Sequence, residues 1–214
     1  MNVLIVYATQ SELAQLDLEK ISATVLITGV GMVATTFHLT EHLSKNKYDL
    51  ILNVGIAGSF SNEIQIGETV NIVQDCFGDF GAEDDENFID VFEIGLEEKN
   101  ESLFENGVIT FVDSAKFKCI DALRKVKGIT VNKVHGNEKS IARIKSKYNP
   151  DIETMEGAAV FYVCKLKNIP CIQIRSISNF IEKRNRANWD IKGAVKNLNS
   201  FIQAFIDELS ASKK

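Results

Sequence analysis

The chain is poor in the features that would break it into parts or take it out of solution. Proline occurs only twice, and no low-complexity tract or internal repeat intervenes, so nothing in the sequence marks a linker. With 214 residues, 45% of them hydrophobic, the composition is that of one sizeable core, and a single domain over residues 1–214 is expected. No apolar run approaches the roughly 18–20 residues that a membrane span needs. Basic residues show no excess: 24 Lys and Arg stand against 29 Asp and Glu, for a net charge of -5. A chain of that balance has no basic surface for phosphate backbones, which argues against nucleic acid as a partner. The four cysteines (Cys76, Cys119, Cys164 and Cys171) are scattered without C-x-x-C spacing, so free thiols in a reducing cytoplasm are expected. The opening "MNVLIVYATQ" lacks a basic flank and reads as a first strand, not a signal peptide.

What is present is alternation. Short apolar runs over Val3–Ala8, Ala23–Val30 and Asp49–Gly58 read as buried strands. Amphipathic stretches at Ser11–Glu19, with Ser11 as N-cap, and Met32–Lys45 read as helices between them. The middle is β-rich, in "GETVNIVQDCFG" and "VITFVDS", with an acidic run between in which Glu83–Glu86 is expected to be a solvated loop. Alternation then resumes: helix Ala115–Val126, strand Ile129–Val134, helix Asn137–Tyr148, strand Asp151–Thr154, helix Glu156–Leu166 and strand Cys171–Ser178. A final helix over Lys192–Leu209 carries Val195, Leu198, Ile202, Phe205, Ile206 and Leu209 at helical spacing, a stripe suited to core packing. The expectation is an α/β fold, with a central, mixed, largely parallel twisted sheet flanked by helices. In such folds ligands bind beyond the carboxyl ends of the strands.

Those ends carry the informative residues. "IQIRSISNF" closes an apolar strand on Arg175, Ser176, Ser178 and Asn179, polar groups that are costly to bury unless something bonds them. "NVGIAGSF" puts Gly55, Ala57 and Gly58 where a ligand could approach the backbone closely. "ETMEGAA" sets Glu156 at a strand-to-helix junction, and Glu12 follows the first strand in "YATQSEL". "GVGMVA" (Gly29–Ala34) fits G-x-G-x-x-A formally. It follows the second strand rather than the first, and its nearest downstream acid, Asp49, precedes a strand, so a tight turn near some ligand is the better reading than a dinucleotide fingerprint. His38 and His42 lie one helical turn apart without a third ligand and read as solvated helix residues, so no metal is expected.

At these residues the sequence resembles the purine nucleoside phosphorylase and methylthioadenosine nucleosidase superfamily, through "TGVGMVAT", "NVGIAG", "GETVNIVQD", "TMEGAA" and "IQIRSISN". Within it the chain looks most like the futalosine hydrolases, through "FGDFGAED", "TVNKVHGNEKSIARI", "ETMEGAAVFYVC" and "SISNFIEKRNRANWDI". The resemblance spans nearly the whole chain. It implies a nucleoside phosphorylase-like fold and cleavage of the N-glycosidic bond of futalosine, giving hypoxanthine and dehypoxanthine futalosine for menaquinone synthesis. It implies Glu12 as general base for water, Met155 and Glu156 at the ribose, and Gly55, Ala57 and Gly58 beneath sugar and base. It further implies Arg175 and Ser178 as supports for the water and the purine-side residue, Asn179 at the purine N7 and O6 edge, and His135 at a strand end bordering the base. A small-molecule nucleoside, water as nucleophile, no metal or organic cofactor, and a homo-oligomer complete the expectation. Adenine-specific relatives carry Asp where Asn179 stands, and many carry Ser where Ile56 stands. The phosphorylases' Gly-Asp-Pro-x-Arg segment is absent from the N-terminal region, which favours water over phosphate. An adenine nucleosidase or an inosine-type phosphorylase keeps the same fold with another substrate, and a dinucleotide-binding module is the reading from a different class.

Overall fold

A computed structural model of the protein describes residues 1–13, 23–101, 103–111 and 117–211. Its centre is two ten-residue strands, β3 (Leu50–Ser59) and β10 (Cys171–Phe180), which run parallel along their whole length. Both are apolar runs with almost no exposed position, as strands covered on two faces should be. β1 (Val3–Tyr7) lies parallel to the first half of β3, and β2 (Thr24–Ile27) lies outside β1. β4 (Thr69–Asp75) runs antiparallel to β10 and parallel to β8 (Arg124–Thr130), and β8 pairs in parallel with β9 (Ile152–Thr154). β9 then returns antiparallel to the end of β3.

The path β10–β4–β8–β9–β3 is therefore closed by the β3–β10 pairing. The sheet is mixed, as expected, but it closes on itself in a barrel-like arrangement, which corrects the expectation of a largely parallel twisted sheet. Closure removes edges that would otherwise expose unpaired backbone groups. A two-residue strand, β7 (Ile109–Thr110), adds to β4. The acidic run is not a plain loop either. It forms a two-stranded hairpin, β5 (Gly81–Asp84) and β6 (Asn87–Asp90), although Glu83–Glu86 are solvated as expected.

Side-chain alternation along the strands sorts the core into two layers. Val3, Ile5, Leu50, Leu52, Ile172 and Ile174 point to one side, where α5 (Ile191–Ala211) lays Leu198, Ile202, Phe205 and Leu209 on them. That stripe is the core helix the spacing predicts. Truncating one of its buried aromatics, such as Phe205 to Ala, would cost about 3–5 kcal/mol on the usual scale for such cavities. Leu4, Val6 and Ile51 point the other way, into a cluster with Leu39 of α1 (Met32–Lys45) and Val160 and Phe161 of α4 (Gly157–Lys167). α3 (Glu138–Tyr148) starts on Asn137, whose side-chain Oδ1 accepts from the N–H groups of Lys139 and Ser140.

Two helical expectations change. Of the stretch expected as helix from Ala115 to Val126, the described residues, 117–126, contain only α2 (Lys118–Asp121) as helix, and the strand β8 begins at Arg124, not Ile129. Pairing with β4 over Arg124–Lys127 and with β9 over Gly128–Thr130 overrides local preference there, and Gly128 permits it: a Cβ would lie 3.0 Å from the Asp75 carboxyl group and from Ile72. The Ser11–Glu19 helix falls beyond Leu13 outside the described residues; Gln10–Leu13 forms a 3-10 turn. All four cysteines are free. Among the described residues no helix is long and apolar enough to cross a membrane.

Candidate active site

The site opens where β3 changes partners. β1 accompanies β3 only as far as Asn53, and β9 takes up the same edge at Gly58. Among the described residues the interval Val54–Ala57 has no strand on that side, and the polar strand ends converge on this gap.

Glu12 is brought there by the 3-10 turn after β1. One carboxylate oxygen accepts from the N–H of Ala8 (3.1 Å), the N–H of Thr9 (2.8 Å) and the Thr9 hydroxyl (3.2 Å). Among the described residues its other oxygen meets only the Ile56 N–H, at 3.4 Å. Gly55 makes the room: a Cβ on it would stand 2.9 Å from that second oxygen and 3.4 Å from Arg175 Nε. Arg175 itself is buried in the floor, with Nη2 donating to Asn53 Oδ1 (2.6 Å) and Nη1 to the carbonyls of Ile174 (2.9 Å) and Asn53 (3.3 Å).

Glu156 sits at the N-cap position of α4, and its carboxylate accepts from the Gly31 N–H at 2.8 Å. Burial pushes its pKa upward, while the Gly31 N–H and the Arg175 charge pull it back and the Glu12 charge adds to the rise. The G-x-G turn thus has an internal use. Gly29 and Gly31 adopt φ of 83° and 88°, conformations that favour glycine, and present the Gly31 N–H to Glu156 instead of to a pyrophosphate.

Asn179 reaches the site through an irregularity. The β10–β3 register pairs Ile177 with Ala57 and then Asn179 with Gly58, so Ser178 is an extra residue in a β-bulge. Such a bulge re-aims the side chains beside it. The Ser178 hydroxyl lies 3.2 Å from the Ala57 carbonyl oxygen and 2.8 Å from Asn179 Oδ1, and Asn179 Nδ2 donates to the Phe180 carbonyl at 3.0 Å. One N–H and one lone pair of the amide remain. Gly58 clears the space beside it, since a Cβ would meet Asn179 Nδ2 at 3.2 Å.

These groups surround a cavity of about 700 Å³, within the range of small-molecule sites. Glu12, Ala57, Gly58, His135, Met155, Glu156, Ser178 and Asn179 line it, all named from the sequence. Gly55 and Arg175 do not: the first has no side chain to present, and the second is turned inward to Asn53. Glu153 is a wall residue that sequence reasoning missed. It is a buried acid two positions before Met155 and was hidden by the more obvious Met-Glu pair. Val30, Ile56 and Ile181 supply apolar wall, with Ile56 standing where many relatives carry Ser. Arg184 and Trp189 stand at the cavity with the guanidinium 5.0 Å from the indole, whereas Arg186 does not line it. His38 and His42 are occupied within the protein, by the Thr28 and Ala34 carbonyls and by the Tyr48 hydroxyl, and no metal-holding cluster occurs among the described residues.

A closed mixed sheet with acids and an amide around one cavity at its strand ends defines an enzyme of the nucleoside phosphorylase-like α/β class. A family model described as the phosphorylase superfamily matches residues 12–211, and the chain belongs to that superfamily. Futalosine hydrolase of Streptomyces coelicolor is 26% identical over 167 residues, 75% of this chain and 66% of the relative's length. Futalosine hydrolase of Thermus thermophilus is 22% identical over 192 residues, 88% of this chain and 83% of the relative. Among solved structures, the 5'-methylthioadenosine/S-adenosylhomocysteine nucleosidase of Colwellia psychrerythraea, in complex with adenine, superimposes with a TM-score of 0.80 at 19% identity, over 98% of this chain and 96% of that one. Native futalosine hydrolase of Helicobacter pylori gives 0.75 at 16% identity, over 97% and 98%. At such identities the structural likeness speaks for the fold.

Proposed function

We propose that this chain is a single-domain purine nucleosidase that hydrolyses the N-glycosidic bond of futalosine, releasing hypoxanthine for menaquinone synthesis. The observation that carries the reading is the bulge that turns Asn179 into a cavity walled on other sides by Glu12 and Glu156. Cleavage of a purine nucleoside passes through a cation-like sugar and an electron-rich leaving base. Carboxylates beside the sugar stabilise the first, and amide donors at the N7 and O6 edge stabilise the second.

Glu12 is built to receive a proton. The oxygen with three donors fixes the carboxylate, and the other is left with one long contact, open to a water. Glu156 accepts from the ribose hydroxyls, and Met155 packs beside it. Gly58 and Ala57 floor the sugar and base, while Ser178 orients the Asn179 amide. Arg175 acts from behind: its charge offsets that of the two glutamates, with Gly55 leaving space for the contact. Its Nη groups are committed to Asn53 and Ile174, so it is a poor phosphate ligand, which favours water as the nucleophile. The reaction requires neither metal nor organic cofactor.

The distal carboxylated ring of futalosine has a place at the cavity mouth, where Arg184 is stacked on Trp189. A second copy of the chain is proposed to cover the exposed apolar face of α1, where Val33 is 81% and Phe37 63% exposed, beside the cavity residue Val30. Cytoplasmic residence is part of the proposal, and the four free thiols support it. The test is chromatography of products from futalosine, inosine and methylthioadenosine, each with and without phosphate. Hypoxanthine release from futalosine that ignores phosphate is expected. Phosphate-dependent turnover would make the chain a phosphorylase, and preferential adenine release would make it an adenine nucleosidase.

A further inference from the structure

Glu153 spends both oxygens on one residue. Its carboxylate accepts from the His135 backbone N–H at 2.9 Å and also meets the same residue's Nδ1. Glu153 is 4% exposed, and both residues line the cavity. A buried acid is costly to the fold unless its bonds fix something. Here they fix the backbone and the ring together. With Nδ1–H committed to the carboxylate, an imidazole that carries one proton has its lone pair at Nε2, and no protein partner for Nε2 occurs among the described residues.

The sheet register says what stands opposite. Gly58 is paired with Glu153 on one side and with Asn179 on the other, so the three form one row across β9, β3 and β10. Two strand spacings separate the outer Cα atoms, about 10 Å. The residue between them has no side chain. A flat base resting over Gly58 is then met from two edges at once.

We infer that Glu153 holds His135 in the tautomer whose Nε2 accepts the N1–H of a 6-oxopurine, making the pair a second specificity determinant across Gly58 from Asn179. This rests on the purine nucleosidase reading and deepens it. With Asn179 at the N7 and O6 side, the edge left for His135 is that of N1. A 6-oxopurine carries a proton on N1, which an acceptor satisfies. Adenine carries a lone pair there, which would face the lone pair of Nε2. His135 touches the base; Glu153 is a positioning residue acting through it.

The experiment is calorimetric titration of the full chain with hypoxanthine, 1-methylhypoxanthine and adenine, alongside hydrolysis assays on futalosine and inosine. The wild type should bind hypoxanthine at least about 10-fold tighter than either other base, the scale of one net hydrogen bond and its mismatch. His135→Phe keeps bulk without an acceptor and should bring hypoxanthine and adenine to within about 3-fold of each other. His135→Gln restores an acceptor and should recover part of the preference. In Glu153→Gln the amide can donate to Nδ1 and move the ring proton to Nε2, so adenine should gain while hypoxanthine loses. Equal binding of hypoxanthine and 1-methylhypoxanthine by the wild type would overturn the inference. So would equal weakening of hypoxanthine and adenine in both the Glu153→Gln and His135→Phe variants. Hydrolysis without such discrimination removes only this inference; failure to cleave any purine nucleoside or bind any purine base removes the underlying reading as well.

Discussion

Acids in two neighbouring places in this fold are held in different ways. Glu12 and Glu156 take their protein hydrogen bonds on one side and face a cavity with the other. Asp75, at the end of β4 behind that wall, is enclosed completely. One of its oxygens accepts from the Thr130 hydroxyl (3.0 Å) and the Cys76 N–H (2.9 Å), and the other from Gln173 Nε2 (3.2 Å). Gly157 has no room for a side chain above it, since a Cβ would lie 2.3 Å from the Asp75 carboxylate. Burial raises the pKa of Glu156 and pushes Asp75 up to about 7. Desolvation alone therefore does not distinguish a working acid from a structural one. The distinguishing feature is an unfilled valence pointing into a space that a substrate can enter.

The most severe way to break the comparison is to remove that valence at Glu12. Glu12→Gln preserves the size of the side chain but cannot take a proton from water. The kcat should fall by at least about 10²-fold, the usual scale for general-base catalysis, with KM and melting temperature little changed. Steady-state kinetics and thermal denaturation on the same preparation check this, and near-normal turnover would remove Glu12 from the mechanism.

Asn179→Asp is next in size. The acid keeps the position and exchanges an amide donor for a group that can protonate N7 and accept from an adenine amino group. Hypoxanthine release should fall, and adenine release from methylthioadenosine should rise from baseline. A shift of at least about 10-fold in the ratio of kcat/KM values is expected, because mismatched polar groups in such sites are left unpaired. If the ratio stays where it was, Asn179 does not choose the base.

The sequence was legible wherever one physical signal dominated. Unbroken apolar runs marked β1, β3 and β10, and helical spacing marked α1, α3, α4 and α5 to within a residue or two. The strand ends led to Glu12, Ala57, Gly58, Glu156, Ser178 and Asn179, and the family resemblance added His135 and Met155. What was hidden depended on pairings between distant segments. Closure of the sheet requires β10 to bond β3 on one side and β4 on the other, and no local pattern encodes that choice. The start of β8 is hidden because Arg124, Lys125 and Lys127 look helical and solvent-facing; they do stay exposed, and only the pairing with β4 makes this stretch a strand. Glu153 and His135 are 18 positions apart, so their pairing appears only once the chain is folded.

The smallest expected effect sharpens the comparison from the structural side. The fold prefers Asp75 protonated, since burial outweighs the attraction of Arg175 and the hydrogen bonds from Gln173 and Thr130. Its contribution to stability is therefore complete below the ordinary carboxylate pKa of 3.8 and is lost as pH rises through about 7. Asp75→Asn stays neutral across that window. Its oxygen can still accept from Thr130 and Cys76. Its amide N–H can donate to Gln173 Oε1 once that side chain turns over, satisfying a buried acceptor that has no partner at present. The wild type should lose melting temperature between pH 5 and pH 8, and the variant should lose less. At pH 8 the variant should melt at least about 3 °C higher, on a scale of roughly 2–4 °C per kcal/mol for a chain of this size. Its kcat at pH 7 should stay within about 2-fold of wild type, because no valence of Asp75 faces the cavity. Parallel melting curves across the pH range would show that Asp75 is ionised and well paired in the fold. A 10-fold loss of kcat in a stable variant would show that the enclosed acid takes part in the chemistry after all.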